Sequence, residues 1–152
     1  MLVSSCNTTN AGQSNTDKQH SKQLLQFMKT PCYGPCPAYQ ADIMDDGSVV
    51  FVSWGNIAQV ADDDTLMLRL NKQELKELKA DIKALNYTSF QETYLSDWTD
   101  RPTSYLTFYT DGKSVKRIKH QEGGPEALTN FQKKLDQTII SLVKRSTQNT
   151  NN

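Results

Sequence analysis

Two turns constrain this chain more than any other feature. Asp45-Asp46-Gly47-Ser48 separates residues 39–44 from residues 49–54, and Asp111-Gly112 separates residues 104–110 from residues 113–120. Asp and Gly tolerate the positive φ of tight turns, so each pair of runs reads as a β-hairpin. Hairpins force antiparallel neighbours, which excludes an all-parallel βαβ array. In the first hairpin Tyr39, Ala41 and Ile43 alternate with Gln40 and Asp42, one set for a core and one for water. On its partner strand the expected shared face is Val50, Val52 and Trp54.

Two helices complete the pattern. Asn71 followed three residues later by Glu74 is a variant capping box, and Leu75, Leu78, Ile82 and Leu85 recur on one stripe behind it. This predicts a helix over residues 72–85, stopped by Asn86 in a left-handed conformation. Gly123-Gly124-Pro125 breaks the preceding strand and puts proline at a first helical position. Leu128, Phe131, Leu135, Ile139 and Leu142 then mark one face to about residue 143. Residues 24–30 form a short apolar run ended by Pro31, a first strand, and residues 66–70 add another short strand. The expected class is α+β: an antiparallel sheet of about 4–6 strands built from two hairpins, with two helices packed on one face.

A chain of 152 residues and 17.2 kDa has room for one such domain, here residues 24–143, followed by a polar tail at 144–152. Its 17 basic and 17 acidic residues cancel, which removes the broad positive field of a nucleic-acid binder. No apolar run approaches the length of a membrane-spanning helix. The histidines are His20, in a polar stretch, and His120, at a strand end, with no nucleophile elbow near either. Asp62-Asp63-Asp64 lacks the glycine and terminal glutamate of a calcium loop and reads as a solvated connection. No catalytic set, cofactor or metal site is expected.

The amino-terminal Val3-Ser4-Ser5-Cys6 resembles the lipobox of bacterial lipoproteins, which implies diacylglyceryl on Cys6 and a membrane anchor. Residues 7–22 carry no large apolar side chain and cannot offset the entropy of ordering. Residues 1–23 are therefore read as lipobox and flexible tether. The sixteen residues 7–22 have a root-mean-square reach of roughly 20 to 25 Å, enough to lift a domain clear of a bilayer.

Cys32-Tyr33-Gly34-Pro35-Cys36-Pro37 is hard to explain by packing. Two prolines and a glycine fix an abrupt turn that holds the two thiols close, and in an oxidising compartment they would form a disulfide. Two other chemistries compete. A redox pair normally has C-x-x-C at a helix N-terminus, whereas here Pro31 and Pro37 bracket a strand-to-strand turn. A structural zinc needs four ligands, and beyond these two cysteines only His120 and scattered carboxylates remain.

The block from Cys32 to Tyr39, followed by Ile43, the Asp45-Asp46-Gly47 turn and Val49, resembles the bacterial family catalogued as domain of unknown function 6438, with its C-x-G-x-C-P-x-Y signature. The likeness continues through Thr99-Asp100-Arg101-Pro102-Thr103 and the Gly-Pro opening of the last helix, over residues 24–143. The resemblance implies a short lipoprotein of a bacterial envelope, frequently from Bacteroidota, and no catalytic residues. Tyr94, Trp98, Arg101, Tyr105 and Tyr109 gather in sequence around the second hairpin and have the composition of a recognition surface. The expected function is a non-catalytic, lipid-anchored binding or structural module of the cell envelope, placed on the outer membrane facing the periplasm, with an envelope protein or polymer as partner. A thiol-disulfide oxidoreductase using Cys32 and Cys36 and a small periplasmic enzyme inhibitor are the alternatives.

Overall fold

The computed structural model describes residues 20–98 and 100–150. Seven strands form one sheet: β1 (Gln23–Lys29), β2 (Ala38–Met44), β3 (Ser48–Gly55), β4 (Thr65–Arg69), β5 (Thr93–Tyr94), β6 (Ser104–Thr110) and β7 (Lys113–His120). Their spatial order is β4-β3-β2-β1-β6-β7-β5. Every neighbouring pair is antiparallel except β5 with β7, a two-residue parallel pairing of Thr93 and Tyr94 with Lys119 and His120. The α+β class holds, and the sheet exceeds the expected strand count. Its extra member is β5, two residues long, which leaves no periodicity to read, whereas the short strand expected at residues 66–70 forms as the edge strand β4. Both expected hairpins form, and β1 with β2 makes a third antiparallel unit joined through the cysteine turn.

The core lies on one face of this sheet. Leu25 and Phe27 of β1, Tyr39, Ala41 and Ile43 of β2, Val49 and Phe51 of β3, Leu106 and Phe108 of β6 and Ile118 of β7 share one buried cluster with residues of both helices. The core face of β3 is therefore Val49 and Phe51, not Val50, Val52 and Trp54, which are half-buried on the opposite face. Residues 49–52 are apolar without a break, so period-two alternation cannot choose between the two faces of this strand.

Helix α1 (Lys72–Leu85) opens with the full capping box: Glu74 N–H donates to the Asn71 side chain at 2.8 Å, and Asn71 N–H donates to the Glu74 carboxylate at 2.8 Å. Asn86 ends it at φ 50°. Helix α2 (Glu126–Thr150) buries Leu128, Phe131, Leu135, Ile139, Leu142 and Val143. It continues well past residue 143. Residues 144–150 contain neither Gly nor Pro. Arg145 grips both carboxylate oxygens of Glu74 at 2.8 and 3.1 Å, and the Thr147 hydroxyl donates to the Gln59 side-chain oxygen at 3.1 Å. These contacts hold the polar turns where hydrophobic periodicity alone ends the helix.

Candidate functional site

The segment between β1 and β2 runs over residues 30–37, and its ends are fixed by the pairing of Lys29 with Tyr39. The Sγ atoms of Cys32 and Cys36 stand at disulfide-bonding distance, with their Cα atoms 5.7 Å apart. Gly34 N–H donates to Cys32 Sγ at 3.3 Å, and Asn56 Nδ2 donates to the Cys36 carbonyl at 3.2 Å. The turn is thus closed on itself and tied to the segment that follows β3. At its apex Tyr33 is 96% exposed, which for an aromatic ring means that packing does not explain its presence.

Tyr39, the last residue of the cysteine signature, has a different role. It is fully buried, its ring edge-on to Phe27 at 6.0 Å and tilted against Phe51 at 5.1 Å. Its hydroxyl donates to Asp136 on α2, and Lys29 Nζ reaches both oxygens of that carboxylate at 3.1 Å. Burial, and then the neighbouring Asp136 charge, push the Tyr39 hydroxyl far above the usual tyrosine range. The cysteine turn is thereby anchored through the sheet to a helix far along the chain.

Against the other side of the turn lies the segment that leads into β6. Thr30 N–H donates to the Thr103 carbonyl at 2.9 Å, and Thr103 N–H donates to the Thr30 hydroxyl at 3.0 Å. Pro31, Cys32 and Tyr33 line an open groove together with Asp100 and Arg101. Gln121 and Glu122, just after β7, organise this segment. Gln121 donates to the Thr103 hydroxyl and accepts from Ser96 N–H. Glu122 accepts from the Ser96 hydroxyl at 2.7 Å and pairs with Arg101 at 3.2 Å. Trp98 N–H donates back to the Ser96 hydroxyl. Leu95 and Trp98 stand 59% and 72% exposed on this scaffold.

The five residues expected to form one surface therefore separate. Trp98 and Arg101 belong to the segment beside the cysteine turn. Tyr94 is half-buried, edge-on to His120 at 5.9 Å and packed on Gly124, so it closes the core at the sheet margin. Tyr105 and Tyr109 lie on the sheet face opposite the helices. Arg117 covers the Tyr105 ring at 4.8 Å. Burial and Asp42 raise the Tyr109 hydroxyl while Arg117 pulls it down. Tyr33 and Leu95 lie outside the expected set, although a tyrosine between cysteine and glycine in a turn is a usable signal. Cys6 lies outside the described residues.

His120 is buried, with Nδ1 2.9 Å from the Gln132 side-chain oxygen and Nε2 2.8 Å from the Gly123 carbonyl, which bolts β7 to the start of α2. Among the described residues no group of three or more His, Cys, Asp or Glu is placed to hold a metal ion. A cavity between α1 and α2, bordered by Leu78, Phe131 and Leu135, encloses about 40 Å³, room for a few waters. No described helix is long and apolar enough to cross a membrane.

The geometry defines a small α+β domain whose β1–β2 loop is closed by a cysteine pair. The chain belongs to the family described as Domain of unknown function (DUF6438), which matches residues 23–139. No curated protein matches it.

Proposed function

We propose that this protein is a non-catalytic, lipid-anchored cell-envelope module, held to the outer membrane through Cys6 and facing the periplasm, whose closed cysteine turn recognises another envelope protein. One observation carries the reading: Tyr33, 96% exposed, on a turn closed by Cys32 and Cys36 and lying beside Arg101. Interface hot spots are enriched in Tyr, Trp and Arg, and a covalently closed loop loses little entropy when it binds. Trp98 and Leu95 are exposed on the neighbouring segment, which Glu122 ties to Arg101 through Ser96, and the tether expected at residues 1–23 gives such a surface reach. The test is a pulldown from detergent-solubilised envelopes with the wild-type chain, Tyr33→Ala with Trp98→Ala, and Cys6→Ala. The paired aromatic substitutions should lose partners that Cys6→Ala, once solubilised, retains. Identical partner profiles for all three refute the proposal.

A second reading, thiol-disulfide exchange, is favoured by one contact. The Gly34 N–H that meets Cys32 Sγ would stabilise a thiolate there after reduction. Insulin reduction with an added dithiol, together with alkylation of the native pair, separates the two. A pair that resists alkylation and gives no turnover eliminates the redox reading.

A further inference from the structure

The two edges of the sheet are built differently. On the β7 side, Lys113, Lys116, Arg117 and Lys119 give a strand of one sign, β5 covers the Lys119–His120 end, and the register with β6 shifts between Phe108 and Tyr109. Uniform charge, a short cover and a bulge are the devices by which sheets prevent edge-to-edge pairing. On the other side, β4 carries none of them. It pairs with β3 in unbroken register from Ser48–Arg69 to Val52–Thr65, contains no proline, and turns Leu66 and Leu68 toward the helices.

The hydrogen bonding of β4 leaves its outer edge available. Leu70 N–H donates to Gly47 and the Asp64 carbonyl accepts from Ser53, so the even-numbered residues face β3. Thr65, Met67 and Arg69 accordingly direct their backbone N–H and C=O groups outward. Met67, midway along this edge, is 72% exposed. The charges flanking it differ in sign: Asp62, Asp63 and Asp64 precede the strand, and Arg69, which also reaches Asp46 at 3.7 Å on the solvent side, and Lys72 close it.

We propose that β4 is a self-association edge, at which a second copy of this chain adds antiparallel across a two-fold axis through Met67. In that register Thr65 opposes Arg69 of the second copy, and the acidic end of each strand meets the basic end of the other. Charge complementarity of this kind arises only in the antiparallel arrangement; a parallel pairing would place like charges together. About six backbone hydrogen bonds join the copies, and the two Met67 side chains pack on each other at the axis. The contact is small, so association is weak in free solution and strengthened wherever chains are concentrated.

Thiol capture reads this geometry directly. Residues facing each other on the axis have Cα atoms about 5.5 Å apart, within disulfide range. In the full chain with Cys6→Ser, Met67→Cys should form a covalent dimer on air oxidation at least about tenfold faster than Val115→Cys, an equally simple substitution 51% exposed on the β7 edge. Sedimentation of the Cys6→Ser chain should show a concentration-dependent species of twice 17.2 kDa that Met67→Asp removes. Equal cross-linking rates at the two edges, a monomer throughout the millimolar range, or a dimer indifferent to Met67→Asp each overturn the proposal.

Discussion

Replacing Tyr39 by Phe removes a single oxygen and leaves the ring against Phe27 and Phe51. What is lost is a hydrogen bond from a buried hydroxyl to the Asp136 carboxylate. Bonds to charged acceptors contribute about 1.5–3 kcal/mol. Asp136 keeps Lys29 as a partner and its side chain is 31% exposed, so water recovers part of the loss. The lower end applies, about 1.5 kcal/mol at neutral pH. The alkaline limb makes the reasoning testable a second time. Because burial and Asp136 hold the Tyr39 hydroxyl above its usual 10.0, the folded chain keeps a proton that the unfolded chain gives up. That contribution is complete below pH 10 and is lost as pH rises, by about 1.4 kcal/mol per pH unit. Tyr39→Phe carries no such proton, so its deficit should shrink above pH 10 and vanish near pH 11. Urea unfolding of both proteins from neutral pH to about pH 11, with unchanged m-values, measures the difference. Equal stabilities at neutral pH, or a deficit that stays constant through pH 11, refute the account of this contact.

Cys32→Ser with Cys36→Ser should lower stability by about 2 kcal/mol, the entropy of closing so short a loop, read by thermal unfolding with and without reductant. Gly124→Ala should be clearly more destabilising than Gly123→Ala. Both have positive φ, but the new Cβ at 124 meets Tyr94 at 2.8 Å while that at 123 meets nothing within 4 Å; comparable melting temperatures contradict the packing of Tyr94. Arg145 lowers the Glu74 carboxyl below its usual 4.5, which stabilises the fold above that pH and is lost as pH falls through the depressed value. Arg145→Ala should therefore flatten the acid limb of the stability curve, and an unchanged limb would show that the helix-to-helix grip is absent in solution.

How far the sequence could be read follows from the range of each interaction. The hairpins and the Asn71–Glu74 box are local chemistry, and they form as the residues dictate. Strand β5 is two residues long and exists only because Glu92 and Tyr94 carbonyls accept from Lys119 and Gln121, partners that no local pattern names. The same holds for Tyr39 and Asp136. A signature tyrosine beside a cysteine turn suggests a site, yet it is core, and its partner sits on the final helix. The expected recognition cluster divides for a related reason: Tyr105 and Tyr109 share one face of β6, Tyr94 belongs to another strand, and Trp98 and Arg101 lie in the segment between them.

The position of β1 governs the order in which the native ladder can be completed. It is the first strand in the chain, yet it sits in the middle of the sheet, between β2 and β6. Strands β1 to β4 can pair in the order in which they occur, but Leu25 and Phe27 must wait for Phe108 and Leu106. Until β6 arrives, a central strand keeps one side unsatisfied, so closing the sheet requires a contact between strands about eighty residues apart in the chain.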